Sequence, residues 1–223
     1  MKMKNKYILT DETIEVEEKV LYRIKAIKDF GNVKEGEIGG FVESEKNLSH
    51  DGKAWVSDAA RVSGNAKVYD NAKVYDNAWI FDNAKVFGNA EVYDDAKVSG
   101  NARIFDNAEV YCGTEVYGNA KVSDNARIFG NAEVFDNVKV FNYAKVCDNA
   151  KVCDNARVCD NAEIYGNAEI SGNAEVSDNA WVYGDAKVYG DAWVYDNAKV
   201  SGNTDVSGDA RIYRDTLVYG KWQ

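Results

Sequence analysis

Proline is missing from all 223 residues of this sequence, and no run of apolar residues approaches the length that spans a membrane. Without proline, every residue can donate its backbone N–H to a neighbouring strand, which suits a fold built almost entirely from internal strands. The N-terminal stretch MKMKNKYILTDE also lacks the apolar centre of a secretory signal peptide. We therefore expect a cytoplasmic protein without a membrane-spanning segment.

The residues that are present repeat every six positions. From Ala54 to Lys221 the chain contains 28 consecutive hexads without insertion or deletion, of which AKVYDN is typical. The third position is Val or Ile in all 28 copies, and the first is Ala in 24 of them. Apolar and polar side chains alternate within AKVY, which predicts a strand with one buried face. The following Asp or Gly and then Asn predict a tight corner, with Asn or Gly in the left-handed backbone conformation.

Strands this short predict parallel stacking, because an antiparallel return would break the alignment of identical residues. Three hexads, or 18 residues, would complete one triangular coil. Each strand would then bond to its copies about 4.8 Å above and below. Roughly nine coils would form a rod about 45 Å long around a column of Val and Ile side chains. The sequence therefore predicts an all-β fold, a parallel β-solenoid.

The hexad, written as VYDNAK, resembles the hexapeptide repeat of left-handed parallel β-helix proteins. In those proteins an aliphatic residue and a small residue four positions later fill the prism. The resemblance covers about three quarters of the chain and implies left-handed coiling. The junction IGGFVESEKNLSHDGKAWV, residues 38–56, more narrowly resembles uncharacterised hexapeptide-repeat proteins of bacteria and phages that are often labelled acyltransferases. That label comes from the fold, and one fold hosts many functions.

The segment before the repeats differs in kind. ETIEVEEKVLYRIKAIKDF alternates apolar and charged residues on both sides of EEK, which predicts a β-hairpin or a pair of strands. For the second half of this segment, a helix remains the alternative. GNVKEGEIGG predicts a turn-rich connector. We therefore divide the chain into an N-terminal β cap with its junction, residues 1–47, which covers the first coil, and a β-solenoid, residues 48–223.

Four cysteines invite a metal or disulfide hypothesis. Cys147, Cys153 and Cys159 follow one another at six-residue intervals, so a triangular coil places one on each face, and Cys112 stands alone at a corner. Sulfurs on separate faces cannot reach the common centre, about 2.3 Å from each, that zinc requires. We expect free thiols, no metal and no cofactor, which fits a reducing compartment.

His50 is the one histidine and the one candidate general base. Acyltransferases that resemble this chain use a histidine in a cleft between neighbouring subunits, shaped by loops that leave the corners. The uninterrupted hexads contain no such loop, so we expect a local hydrogen bond at His50 rather than catalysis, and no pocket. One histidine is also too few for the three-histidine zinc site of carbonic anhydrases with this fold.

Two ladders on the outer surface supply the candidate binding residues. The second hexad position is basic at six residues spaced 18 apart: Lys67, Lys85, Arg103, Lys121, Lys139 and Arg157. Aromatic residues recur at the same spacing at Tyr75, Tyr93 and Tyr111. An aromatic ladder can stabilise a sheet by itself. The basic residues could instead neutralise a corner that carries Asp70, Asp106, Asp124, Asp160, Asp178 and Asp196.

The net charge of −10 restricts the class of ligand. It disfavours direct binding of nucleic acid, although Phe87, Phe105 and Phe141 beside the basic residues would suit a polyanion. It permits an acidic mimic of nucleic acid that inhibits a nucleic-acid-binding protein. The pattern favours a non-enzymatic rigid scaffold that presents a charged and aromatic surface to a protein partner. An acyltransferase of the hexapeptide-repeat type is the alternative from another class.

The C-terminal coil predicts self-association. Its inward residues Val206, Ile212 and Val218 would be exposed together with a row of unpaired backbone groups, which is a template for pairing. We expect a tail-to-tail homodimer in which the final coils and Trp222 meet, because a two-fold contact closes by itself.

Overall fold

The computed structural model describes residues 5–220. Three strands precede the repeats, β1 (Tyr7–Val16), β2 (Lys19–Ala26) and β3 (Ile38–Val42). β1 and β2 form an antiparallel hairpin, and its two turn residues, Glu17 and Glu18, have positive φ angles of 47° and 62°. The predicted cap is therefore a β structure, and the helix left open for its second half does not form.

Each hexad contributes one short strand, in most cases its second and third residues. In chain order these strands are β4 (Trp55–Val56), β5 (Arg61–Val62), β6 (Lys67–Val68), β7 (Lys73–Val74), β8 (Trp79–Ile80), β9 (Lys85–Val86), β10 (Glu91–Val92), β11 (Lys97–Val98), β12 (Arg103–Ile104), β13 (Glu109–Val110), β14 (Glu115–Val116), β15 (Lys121–Val122), β16 (Arg127–Ile128), β17 (Glu133–Val134), β18 (Lys139–Val140), β19 (Lys145–Val146), β20 (Lys151–Val152), β21 (Arg157–Val158), β22 (Glu163–Ile164), β23 (Glu169–Ile170), β24 (Glu175–Val176), β25 (Trp181–Val182), β26 (Lys187–Val188), β27 (Trp193–Val194), β28 (Lys199–Ser201), β29 (Asp205–Val206), β30 (Arg211–Ile212) and β31 (Leu217–Tyr219).

The strands form three sheets that run the length of the solenoid. Sheet 1 has the order β1-β2-β3-β5-β8-β11-β14-β17-β20-β23-β26-β29, sheet 2 the order β4-β7-β10-β13-β16-β19-β22-β25-β28-β31, and sheet 3 the order β6-β9-β12-β15-β18-β21-β24-β27-β30. Hexad strands pair in parallel with partners 18 residues apart, as Lys67 does with Lys85. The predicted β-solenoid of 18-residue coils is confirmed, with about ten coils. The described residues contain no helix with the length and apolarity needed to cross a membrane.

β3 joins the cap to the solenoid. It pairs antiparallel with β2 and parallel with β5, with Val42 opposite Val62. Leu48 forms a further parallel bridge with Val68. Val42 and Leu48 are fully buried, so they extend the core column by one coil toward the cap.

The core is the column of third-position Val and Ile side chains. All 28 are 8% exposed or less. The first-position Ala residues pack beside them. Where Thr replaces Ala, at Thr114, Thr204 and Thr216, the hydroxyl donates to the carbonyl oxygen three residues earlier at 2.6–2.7 Å. A hydroxyl with a local acceptor can be buried at little cost, which explains why Thr is accepted at the buried positions 114 and 204, whereas Thr216 in the last coil is exposed.

The last coil corrects the prediction of an exposed core. Val206, Ile212 and Val218 stay covered, at 4%, 8% and 1% exposure. We attribute this to the narrow prism, in which the three inward side chains of one coil shield one another. Apolar exposure at this end is outward instead, at Leu217 (65%) and Tyr219 (76%). Trp222, which we expected at a dimer contact, lies outside the described residues.

At the corners, the prediction that Asn adopts the left-handed conformation is wrong. The left-handed conformation falls on the fifth hexad position, at Asp or Gly in most hexads, and not on the Asn that follows. The Asp carboxylate accepts the N–H of the fifth residue one coil on, as Asp70 does from Gly88 at 3.2 Å. The Asn residues form ladders instead, with twelve amide hydrogen bonds of 3.0–3.4 Å between Asn residues 18 apart in the described chain. An amide both donates and accepts, so identical amides can stack, whereas carboxylates would repel.

Candidate functional site

Each sheet displays two outward ladders, because the second and fourth hexad residues point away from the core. On sheet 3 the second-position residues form what we call the basic ladder: Lys67, Lys85, Arg103, Lys121, Lys139 and Arg157. The fourth-position residues beside it are Tyr69, Phe87, Phe105, Ser123, Phe141 and Cys159.

The six members of the basic ladder stand in register on consecutive strands, β6, β9, β12, β15, β18 and β21. Five strand spacings separate the two ends of this ladder, which makes it about 24 Å long. Like charges directly opposite each other destabilise a sheet. The fold therefore holds an unfavourable arrangement here unless something else supplies negative charge.

Carboxylates supply that charge on the other two sheets. All seven Glu residues of the hexad array form an ion pair with a basic residue one coil away, at 2.7–3.7 Å. Six of these pairs lie on sheets 1 and 2. The seventh, between Arg157 and Glu175, closes the C-terminal end of the basic ladder. From Lys67 to Lys139, no ladder member has a carboxylate oxygen within 4.0 Å among residues 5–220.

The Asp corner beside the ladder does not neutralise it by direct contact. The carboxylates of Asp70, Asp124 and Asp160 accept backbone N–H groups of the next coil. Within the described chain no ion pair joins this corner to the basic ladder. The corner is a negative line that runs parallel to the positive one and borders it on one side.

The arginines and lysines of the ladder differ in their surroundings. The Arg103 guanidinium lies 5.2 Å and 5.3 Å from the ring centres of Phe87 and Phe105, and the Arg157 guanidinium lies 5.5 Å from that of Phe141. Such cation–π contacts hold the arginines in place. The four lysines are exposed to solvent. Their ammonium groups are the ones free to meet a ligand.

The aromatic residues of sheet 3 form an interrupted stack. The rings of Tyr69, Phe87 and Phe105 are parallel within 4°, with centroids 4.8 Å and 5.1 Å apart. Ser123 takes the next rung, and Phe141 the one after it. A recess of about 260 Å³ lies at the interruption, lined by Phe105, Lys121, Ser123, Asp124, Lys139, Phe141 and Arg157.

The predicted tyrosine ladder lies on sheet 2, so the structure does not bring it together with the basic ladder. Tyr75, Tyr93 and Tyr111 stack with centroids 4.8 Å apart. The Tyr75 hydroxyl donates to Glu91 at 3.1 Å, and Arg127 donates to the Tyr111 hydroxyl at 2.6 Å. Burial raises the pKa of Tyr93 to about 12, assisted by a nearby carboxylate. The charged partners of Tyr75 and Tyr111, Glu91 and Arg127, are already in ion pairs with Lys73 and Glu109.

His50 packs against the cap. Its ring stacks on Tyr7 with centroids 4.3 Å apart, and its Nδ1 accepts the backbone N–H of Lys6 at 3.4 Å. Burial lowers the pKa of His50. Its Nε2 is buried and has no hydrogen-bond partner among residues 5–220. Lys6 is itself fully buried, with its Nζ donating to the Ala54 carbonyl at 2.8 Å, and burial lowers the pKa of Lys6 to about 8.

A recess of about 900 Å³ borders His50, and it corrects our expectation that the chain leaves no pocket. Its lining includes Lys67, Tyr69 and Lys85, which belong to the N-terminal end of sheet 3. The recess forms where the junction crosses the first coils. Hexad periodicity could not show it, because the junction does not follow the repeat.

The cysteines lie as the spacing predicted. Cys147, Cys153 and Cys159 follow strands of sheets 2, 1 and 3, one on each face, and all four cysteines are free thiols. Burial raises the pKa of Cys147 and Cys153 to about 11 and that of Cys159 to about 12, with adjacent Asp carboxylates adding to the effect. In the described part of the chain, no group of three or more His, Cys, Asp or Glu side chains could hold a metal ion.

The spacing of the basic residues predicts the basic ladder, but the ladder's lack of carboxylate partners was not predicted. The signal was available: in rows of 18 residues, every Glu of the array stands directly above or below a Lys or Arg, and the first six rungs of sheet 3 contain no Glu. The chain matches no protein-family model and no curated protein.

Proposed function

We propose that this protein is a non-enzymatic rigid scaffold that binds an acidic segment of a partner protein on sheet 3. The observation that carries the proposal is the run of five basic residues from Lys67 to Lys139 without a contacting carboxylate, in an array where every Glu is paired. Carboxylates of a partner would remove the repulsion along the ladder. The parallel sheets hold the lysines at fixed spacing before the partner arrives, which limits the entropy lost on binding.

The width of the ladder favours a narrow ligand. It is one residue wide, and the Asp corner runs beside it, so a double helix would bring phosphates against carboxylates. The net charge of −10 adds a general repulsion toward long polyanions. A single peptide in the polyproline II conformation fits better, since its three residues per turn span about 9.3 Å, close to the roughly 9.6 Å of two rungs. A Glu or Asp at every third position would then lie on one face of the peptide and recur at about every second rung of the ladder.

The hexad and the junction support assignment to the left-handed, hexapeptide-repeat β-helix superfamily, with an origin in bacteria or phages. The four free thiols support a cytoplasmic location, because thiols persist in reducing compartments. Both assignments belong to the proposal and agree with a soluble scaffold.

An acyltransferase activity receives less support. A general base needs a ring nitrogen within reach of the substrate. His50 lines the adjacent recess, but its Nδ1 already accepts a backbone hydrogen bond and its Nε2 is buried from solvent. We expect no acetyl-coenzyme A turnover above background on amine or hydroxyl acceptors. Saturable turnover that His50→Ala abolishes would establish the enzyme instead.

Titration with a defined acidic peptide tests the scaffold. The probe is an unlabelled peptide of about 20 residues with Glu at every third position. Its binding is measured by calorimetry at about 50 mM and 300 mM NaCl. Wild-type protein should bind at low salt and lose affinity at high salt. The double variant Lys121→Glu with Lys139→Glu should bind about tenfold more weakly or worse. The control, Lys25→Glu with Lys53→Glu, makes the same change in net charge on exposed residues outside sheet 3 and should bind like wild type.

Three results would contradict the proposal. The first is absence of peptide binding at low salt, and the second is equal weakening by both double variants. The third is tighter binding of single-stranded DNA of equal charge, weakened by the same Lys121 and Lys139 changes, which would assign sheet 3 to nucleic acid.

A further inference from the structure

The interruption at Ser123 has the dimensions of one aromatic ring. Phe105 and Phe141 stand two coils apart, or about 9.6 Å along the rod. Adjacent rings in this stack have centroids 4.8–5.1 Å apart. One more ring placed between Phe105 and Phe141 would therefore meet both walls at the spacing that the stack already uses.

The floor of this gap is closed. Ser123 is 9% exposed, and its hydroxyl donates to the Asp124 carboxylate at 3.2 Å. The same carboxylate accepts the backbone N–H of Asn142 at 3.2 Å. The polar groups at the base are thus satisfied within the protein, so an apolar ring can cover them without leaving a hydrogen bond unmade.

Charge distinguishes this gap from the interruptions on the other sheets. On sheet 2, Cys147 separates Phe129 from Tyr165, but the flanking Lys145 is paired with Glu163. On sheet 1, Ser99 separates Phe81 from Tyr117, but the flanking Lys97 is paired with a Glu of the next coil. A second gap on sheet 2, at Ser201 between Tyr183 and Tyr219, has a single lysine at its rung, Lys199, whose ammonium lies 4.2 Å from the centre of the Trp181 ring. Among residues 5–220, the sheet 3 gap is therefore the one bordered by two lysines, Lys121 and Lys139, without a carboxylate in contact.

We infer that the gap at Ser123 receives an aromatic side chain of the acidic segment, with carboxylates on either side of that ring meeting Lys121 and Lys139. This inference rests on the proposed function and specifies its partner: a segment with Phe, Tyr or Trp between Glu or Asp residues. At about 260 Å³ the recess is smaller than the roughly 300–1,000 Å³ of pockets that enclose free ligands. A ring tethered in a longer segment therefore suits it better than a free aromatic acid. Trp and Tyr are enriched among the residues that contribute most of the binding energy at protein interfaces.

The experiment compares two unlabelled acidic peptides that differ only at a central residue, Tyr or Ala. Dyes are avoided because fluorescein is itself a planar aromatic anion. Calorimetry with wild-type protein should show the Tyr peptide binding about two- to tenfold more tightly, the range that aromatic pairs contribute. Ser123→Phe completes the stack and should remove this gain while both peptides still bind.

Ser177→Phe is the matched control. It places the same side chain at the same hexad position on sheet 3, three coils away and beside Glu175, where no ring-lined gap exists. It should keep the full Tyr preference. Phe141→Leu, which removes one wall, should lose the preference as Ser123→Phe does. Thermal unfolding followed by circular dichroism verifies that each variant is folded.

The outcomes separate this inference from the proposed function. If Ser123→Phe keeps the Tyr preference, or wild type has none, the inference is overturned while binding that depends on Lys121 and Lys139 still supports the scaffold. If 4-hydroxyphenylacetate alone binds as tightly as the Tyr peptide, the gap belongs to a free aromatic acid and the inference is wrong. If neither peptide binds, both the inference and the proposed function are wrong.

Discussion

Replacing Val140 by Asp places a carboxyl group in the core column at the middle of the rod. Val140 is fully buried, and Val122 and Val158 lie directly opposite it on the neighbouring coils. The change should open the coils around residue 140 and leave the ends of the solenoid closed. In a repeat protein each coil is stabilised by its own contacts and those with its two neighbours.

The expected destabilisation has three parts. Removing the valine forfeits about 1.5 kcal/mol of burial. Keeping an Asp neutral at pH 7, about three units above its ordinary pKa, costs about 4 kcal/mol. Burying the neutral acid without a partner adds about 1–3 kcal/mol. The total of about 7 kcal/mol is comparable to the whole stability of many domains, about 5–15 kcal/mol.

Hydrogen–deuterium exchange, resolved by peptide, measures this directly. In Val140→Asp, amides between about residues 122 and 158 should exchange much faster than in wild type, and those of the first and last coils should change little. Two variants calibrate the result. Lys139→Asp introduces the same group one residue earlier on the exposed side and should exchange like wild type. Val140→Ala, which removes only methyl groups, should cost about 2 kcal/mol.

Two outcomes would refute the reasoning. Equal loss of protection at the terminal and central coils would mean that the solenoid unfolds as one cooperative unit. Equal behaviour of Val140→Asp and Lys139→Asp would mean that the third hexad position does not face the core.

Three further predictions concern pH, backbone and assembly. Burial favours the neutral thiols of Cys153 and Cys159, whose pKa values rise from about 9 to about 11 and about 12, so stability should fall as the pH rises above about 9. Urea midpoints from pH 8 to 10.5 should fall less in the double Ala variant, and identical slopes would contradict this. Gly118→Ala should destabilise by about 1–3 kcal/mol, because a Cβ there would lie 2.6 Å from a backbone nitrogen of the next coil at φ +70°. Gly208→Ala, with positive φ but open space, should cost less in the same denaturation assay, and equal costs would argue against the close approach. Light scattering should give twice the monomer mass of 24.7 kDa, and a monomer, or a dimer that survives deletion of residues 204–223, would disprove the tail-to-tail contact.

The hexad predicted the solenoid because its information is local and repeated. Alternation at four positions sets the buried face, and the constant spacing sets the register for all coils at once. The corner was predicted less well, since Asp and Asn both tolerate the left-handed conformation. What decides between them is a contact with the next coil: the Asp70 carboxylate accepts an N–H there, and Asn amides form a ladder. Such contacts are 18 residues away in sequence.

The site was predictable only in part for the same reason. The basic residues and their spacing are visible in the sequence, but their lack of carboxylate partners requires the register of all three sheets. The gap at Ser123 likewise has meaning only once Phe105 and Phe141 are known to be its walls. The burial of Lys6 and the recess beside His50 depend on how the cap packs against the first coils. The cap and the junction lie outside the hexad repeat, so the repeat pattern does not predict this packing.

Because three sheets surround the core, each hexad turns the chain by a third of a revolution about the rod axis, and each coil of three hexads adds one strand spacing to the length of the rod. Removing 18 residues in phase would shorten the rod by one coil and leave every downstream side chain on its own face. Removing six, for example residues 144–149, would turn everything downstream by a third of a revolution. Lys139 would then stand against Glu163 instead of Arg157, and the basic ladder would end one rung earlier in an ion pair. The protein can therefore change length without changing its surface pattern only in whole coils, whereas a change of one hexad rewrites which charges meet.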